Sequence, residues 1–183
     1  AKKGGTWAQF LSRVNESGVM EGSKSRLRAE YTNVAMSSIQ IGRYWNMQRS
    51  KTILPYGEYV TIGDARVRTA HADLNGKVWP LDHTAWRTIW PPNGWNCRCT
   101  VLPTDQGPNG EDAESQWKQA QKDLDDSGEA AKMNKAGFNG NRAVTGSIFD
   151  LNKAYRDVIG KENGTAFRLN VDDSYGHEGM SWK

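Results

Sequence analysis

The chain has 183 residues, 37% of them hydrophobic, with a mean hydropathy of −0.77, so it suits one domain with appendages or two small ones around a modest core. No segment approaches the ~20 apolar residues of a membrane-crossing helix and no apolar run follows Lys2-Lys3, so neither membrane partner nor secretory leader is expected. The net charge of +3 is divided: residues 1–104 carry 14 Lys and Arg against 7 Asp and Glu, and residues 105–183 carry 10 against 14.

In chain order, Thr6 can cap a first helix over residues 6–17, with Trp7, Phe10, Leu11 and Val14 on one face and Gly18 at its end. A longer helix is predicted over 23–50. Leu27, Tyr31, Val34, Ser38, Ile41 and Trp45 recur there at spacings of four and three, a stripe read as core packing. Residues 59–62, β-branched and aromatic, read as a short strand. Residues 67–81 contain Asn75-Gly76, a hairpin signal because both turn positions favour positive φ. Asp82 is placed to cap a helical turn within 82–90, and Pro91-Pro92-Asn93-Gly94 forces another turn. Residues 97–102 read as a strand ending at Pro103.

This order predicts an α+β fold, with N-terminal helices packed on a small, turn-rich antiparallel β unit. Residues 105–112 have linker composition. Residues 113–132 read as a polar helix anchored by Trp117, Ala120 and Leu124, residues 137–146 as loop, and 148–159 as a last helix holding Phe149, Leu151, Tyr155 and Val158. The expected division is a domain over 1–104, with its core at about 20–104, and a loosely packed, mainly helical or irregular extension over 105–183.

Residues 64–101 hold both cysteines and two of the three histidines. Cys97 and Cys99 are too few and too close for a disulfide scaffold, since a bridge between i and i+2 closes almost no loop. On a strand the two would share one face and present two thiolates together. Zinc favours such ligands, and His71 or His83 can add an imidazole. Asp82 or Asp73 can complete the shell or orient a histidine from behind. The alternative is a reduced, buried and inert pair with His71 hydrogen-bonded nearby. Arg98 would then point to the opposite face, toward a carboxylate, a phosphate or solvent.

An enzymatic reading starts from His71-Ala72-Asp73 and the later Pro-Pro and Cys-Arg-Cys, a distant likeness to the zinc deaminase layout. Aspartate replaces the proton-shuttling glutamate there, and the cysteines are one residue apart rather than two. No serine nucleophile, P-loop or dinucleotide turn is present. The basic residues Arg26, Arg28, Arg43, Arg66, Arg68 and Arg98 are candidates for phosphate contacts. No motif that reads bases accompanies them, so any binding of DNA would be non-specific.

Taken together, Gly63-Asp64, Val67-Arg68, His71, Leu74, Gly76, Asp82, Trp86, Trp90-Pro91-Pro92, Trp95 and Cys97-Arg98-Cys99 resemble the signature of the phage Mu protein F-like family. The likeness covers about residues 20–104, and Arg26 and Arg28 lie on its leading helix. It implies a structural protein rather than an enzyme: a minor capsid protein of the virion, acting in head morphogenesis in the cytoplasm of a bacterial host. The implied partners are the portal, other capsid proteins of the procapsid, and packaged DNA. The same domain also heads certain toxins, so the alternative implied is a metal-dependent hydrolase or toxin-associated domain using His71, Asp73 and the Cys97/Cys99 pair. The family's histidine and cysteines fall on His71, Cys97 and Cys99, which supports bound zinc. The resemblance does not fix the fourth ligand, for which the residues themselves offer His83 and Asp82.

Overall fold

The structure, a computed structural model, describes residues 6–17, 24–110 and 112–148. Two helices come first, α1 (Trp7–Ser17) and α2 (Lys24–Ser50), close to the lengths the sequence predicts. Trp7 and Phe10 of α1 close on Tyr31 of α2, with ring centroids 5.4 Å apart in both pairs.

The predicted stripe on α2 is only partly core. Leu27 is buried, but Val34 is 38% and Trp45 48% exposed. The face turned inward carries Asn33, Ser37, Gln40 and Met47 instead. Three of these are polar: Asn33 and Ser37 are buried with no side-chain hydrogen bond among the described residues, whereas Gln40 is bonded. Gln40 donates to the Thr100 hydroxyl at 3.1 Å, and its own carbonyl accepts from the Trp90 indole at 3.0 Å.

A three-stranded antiparallel sheet follows, in the order β2-β1-β3. Its strands are β1 (Tyr56–Val60), β2 (Val78–Pro80) and β3 (Thr100–Thr104). Gly57 of β1 stands opposite Trp79 on one side and Pro103 on the other. Pro103 therefore lies within β3, tolerated because β3 is an edge strand, and does not end it. The hairpin expected inside 67–81 is also displaced. β1 pairs with β2 across a loop that includes a short helix, α3 (Thr69–Ala72), and Asn75-Gly76 turns the chain into β2, with Gly76 at φ 77°.

After β2 comes α4 (Ala85–Thr88), and Asp82 does not cap it. His83 Nδ1 accepts from the Ala85 amide at 3.1 Å, while Asp82 pairs with Lys51 Nζ at 2.9 Å.

Three more helices follow β3: α5 (Ala113–Asp126), α6 (Glu129–Lys135) and α7 (Arg142–Thr145). Asp112 caps α5 by accepting from the Glu114 and Ser115 amides. The single helix expected over 113–132 is broken at Gly128, whose φ of 69° ends one helix and starts the next. Residues 112–148 are anchored in the main core. Trp117, Ala120, Leu124, Met133 and Phe138 belong to the same buried cluster as Tyr59, Trp79, Trp86, Trp90 and Val101. The helix expected over 148–159 and the tail beyond it lie outside the described residues, apart from Ile148 itself.

The core is mostly a chain of aromatic rings meeting edge to face. Tyr44 meets Trp90, Trp90 meets Trp86, Trp86 meets Trp79, and Trp79 meets Trp117, at centroid distances of 5.0 to 6.2 Å. Three of the buried indole N–H groups donate to carbonyls: Trp79 to that of Ala113, Trp86 to that of Pro80 and Trp90 to that of Gln40.

Candidate functional site

The sheet and α3 bring together three of the predicted ligands. His71 lies on α3, and its ring Nδ1 is 3.8 Å from Cys97 Sγ and 3.6 Å from Cys99 Sγ. All three side chains are buried, and their donor atoms lie within 4.8 Å of one another. The cysteines do not sit on a strand. They lie in the stretch that leads into β3, entered through Asn96 at φ 57°, and burial alternates along it as on a strand, with Cys97, Cys99 and Val101 buried and Arg98 and Thr100 less so.

The electrostatics follow from this crowding. The hydrogen bond between the thiols, joined by those from His71 and the Asn93 amide, holds Cys97 well below the usual thiol range against the opposing effect of burial. The same bond pushes Cys99 upward, together with its burial. The pair thus gives up one proton readily and retains the other. Burial, and then the two cysteines, keep the nearby Tyr59 hydroxyl protonated.

Does a metal fit? A tetrahedral zinc with ordinary bond lengths sets its sulfur and nitrogen ligands about 3.5 Å apart. The two nitrogen–sulfur separations, 3.6 and 3.8 Å, are close to that spacing. Two thiols and an imidazole are also the donor set zinc prefers. Among the described residues no fourth His, Cys, Asp or Glu joins them. The cluster borders a cavity of about 20 Å³ lined also by Arg66, Arg68 and Arg98, room for about one water.

The two proposed fourth ligands are placed elsewhere. His83 uses Nδ1 on the Ala85 amide and Nε2 on Glu114, 3.4 Å away. Asp82 is exposed and paired with Lys51. Both corrections have the same cause: the loop after β2 turns these side chains toward α4, α5 and the end of α2. Asp73, named in the enzymatic reading, is exposed on the far end of α3 and outside the cluster.

The carboxylate behind the histidine is Glu129, which the sequence reading missed. It comes from α6, is 5% exposed, and sets Oε1 3.3 Å from His71 Nε2. No motif announces it, since 58 residues separate it from His71 and only the fold brings it there. Arg142 was missed as well. It is buried, donates to the carbonyls of Gly137 and Gly140 at 2.9 and 2.8 Å, and has its pKa pulled down to about 10 by burial.

The six candidate arginines are dispersed and mostly engaged within the fold. Arg26 pairs with Glu30, Arg28 covers the Trp7 ring, and Arg43 donates to the Val101 carbonyl. Arg98 turns to a carboxylate, one of its three expected destinations, and grips Asp64 with both terminal nitrogens at 2.7 and 2.6 Å. Arg68 donates to the Trp95 carbonyl and lies 3.5 Å from Glu129. Arg66, Arg68 and Arg98 nonetheless share one open groove of about 460 Å³ with Thr32, Trp95 and Asn96. His71 and the two cysteines do not line it.

Residues 2–102 match the family described as Phage Mu protein F like protein, more than half of the chain and reaching further toward the start than the residues that carry the resemblance. The chain belongs to that family. Among relatives of this Mu F-like chain is the putative capsid assembly protein F of Escherichia phage Mu, 37% identical over 103 residues. The Mu-like prophage FluMu F protein of Haemophilus influenzae is 34% identical over 100 residues. Each alignment covers 55% of this chain and 24% of the relative, so the chain matches about a quarter of the length of either F protein. A protein of Methanocaldococcus jannaschii is 35% identical over 86 residues, 46% of this chain and 12% of that protein. No solved structure matches the chain.

Proposed function

We propose that this Mu F-like chain serves in phage head assembly as a minor capsid protein with no catalytic role, associated with the portal and other capsid proteins and carried in the virion. The observation that carries the reading is the family match over residues 2–102, with a relative named for capsid assembly. The decisive experiment is to disrupt the gene in its phage or prophage and weigh the particles. Loss of mature heads, together with a few copies of the chain in purified wild-type heads by quantitative mass spectrometry, is expected. Heads that form normally and lack the chain would refute it.

Within that role His71, Cys97 and Cys99 would hold one zinc ion as a structural cross-link between α3 and the stretch that leads into β3. An ion bound only by the folded chain stabilises the fold directly. Elemental analysis of protein purified without chelator should find about one zinc per chain, and Cys97→Ser should lose it. Zinc-free protein would refute the assignment. Contact with packaged DNA belongs to the same proposal, through the groove of Arg66, Arg68 and Arg98. Affinity for DNA should then fall steeply with salt and show no sequence preference.

One observation favours a second reading, a metal-dependent hydrolase. Three protein donors beside a water-sized cavity are the arrangement of an open coordination site. Against it, the donors are buried, the cavity admits nothing larger than about one water, and Asp73 is exposed and outside the donor group. Hydrolysis of ester or phosphodiester substrates by the zinc-loaded chain, abolished in His71→Ala, would move the assignment to this reading.

A further inference from the structure

We propose that Glu129 is a positioning residue for the metal at His71, Cys97 and Cys99, and that metal binding clasps α6 onto the Mu F-like core. The inference rests on the metal reading given above, and it names a residue from outside the stretch the family match covers.

His71 presents two different edges. Nδ1 faces both sulfurs at 3.6 and 3.8 Å, and Nε2 faces Glu129 Oε1 at 3.3 Å. A metal taken by Nδ1 requires the tautomer that carries its proton on Nε2, and that proton has one carboxylate to meet. A carboxylate in this place fixes the ring's orientation and tautomer and raises its basicity as a ligand. Nε2 is fully buried and, at the present distance and angle, makes no formed hydrogen bond. The contact is a near-bond that a small movement of either side chain completes.

Burying a carboxylate is costly unless it is paired. Glu129 is 5% exposed, on a helix whose other anchors near the site are Met133 and, just past its end, Phe138 against Trp95. Its remaining partners are Arg68 Nε at 3.5 Å and Lys132 Nζ at 3.6 Å, both long. A stronger bond from His71 is therefore the means by which metal loading would tighten α6. The left-handed turn at Gly128 starts α6 at this residue and sets the carboxylate where it can reach the histidine.

The experiment uses the full 183-residue chain. Affinity for Zn²⁺ is measured by competition with a chromophoric chelator, for wild type, Glu129→Gln, Glu129→Asp and Lys132→Ala. Amide exchange of α6 is followed in wild type with and without Zn²⁺, which needs no variant to fold. Glu129→Gln is expected to bind about 10- to 100-fold more weakly. Glu129→Asp should recover part of the loss, and Lys132→Ala, which removes a neighbour of the carboxylate but not the carboxylate, should change affinity less than about threefold. Zn²⁺ should slow exchange across residues 129–135. Co²⁺ in place of Zn²⁺ should keep its thiolate charge-transfer band in Glu129→Gln while the ligand-field bands shift, a change that loosened packing alone would not produce. Wild-type affinity in Glu129→Gln, or α6 exchange indifferent to Zn²⁺, would overturn the clasp and leave the metal site standing. A wild-type chain that takes no Zn²⁺ would remove the metal site and the clasp together.

Discussion

Gly57 is placed where a methyl group has no room. A Cβ there would stand 2.8 Å from Val101 Cγ1, 3.0 Å from Trp86 Cζ2 and 3.3 Å from Leu81 Cδ2, all buried and hemmed in. Gly57→Ala should therefore destabilise by about 1–3 kcal/mol, the usual cost of overfilling a packed interior, read from the midpoint of urea unfolding. A midpoint equal to wild type would mean that the strand can shift to make space. Asp64 illustrates a different dependence. Hydrogen bonds from Arg98 hold its pKa down to about 2, below the ordinary value, so the charged form is favoured by folding. Such a group contributes stability above the unfolded pKa of about 4 and loses that contribution as pH falls through the folded value. Asp64→Asn should lower the melting temperature at pH 6, and its gap from wild type should close between about pH 4 and pH 2. Both residues are exposed to solvent to a degree that keeps the effect small. A gap that persists at pH 2 would show that the amide harms packing instead.

At the scale of elements, length and type were legible where periodicity or turn chemistry is strong, and location was not. The extent of α2 follows from its unbroken helical pattern, but its inward face does not. An apolar stripe marks the inner face only when the partner surface is apolar, and α2 packs against the carbonyls and hydroxyls around Thr100. The thiol pair was legible as a pair, since burial alternates from Cys97 through Cys99 to Val101 as the chain enters β3 and Arg98 turns the other way to Asp64. The break between α5 and α6 left a visible trace in Ser127-Gly128, outweighed by the helix-forming residues on both sides. The start of α5 rests on Asp112, whose carboxylate accepts from two amides and from the Ser115 hydroxyl at 2.6 Å. Asp112→Ala should speed exchange of the Glu114 and Ser115 amides several-fold and leave those of α2 unchanged. Equal acceleration in both helices would point to global loosening rather than a lost cap.

For the molecule as a whole, the informative case is residues 112–148. Their apolar anchors are sparse along the sequence, which suggested a loose extension. Sparse anchors suffice when each is large and falls on a prepared surface. Trp117 extends the row of Trp79, Trp86 and Trp90, and Phe138 closes on Trp95, the residue next but one to Cys97. Glu129 and Arg142 then bring charge to the side of the same interior that holds His71, Cys97 and Cys99. The composition could not reveal this, because a polar helix that docks through one tryptophan has the same residue count as one that floats. If the described residues form one cooperative unit, damage at the far end must be felt throughout. Phe138→Ala removes a fully buried ring, and truncations of that kind cost about 3–5 kcal/mol. Unfolding followed by tryptophan fluorescence, whose described reporters all lie before α5 except Trp117, should then shift to lower urea by the same amount as unfolding followed by far-ultraviolet circular dichroism, which reports on all helices. Two separated transitions, with the fluorescence midpoint unmoved by Phe138→Ala, would show that α5 to α7 unfold on their own and that the 1–104 boundary is a thermodynamic one.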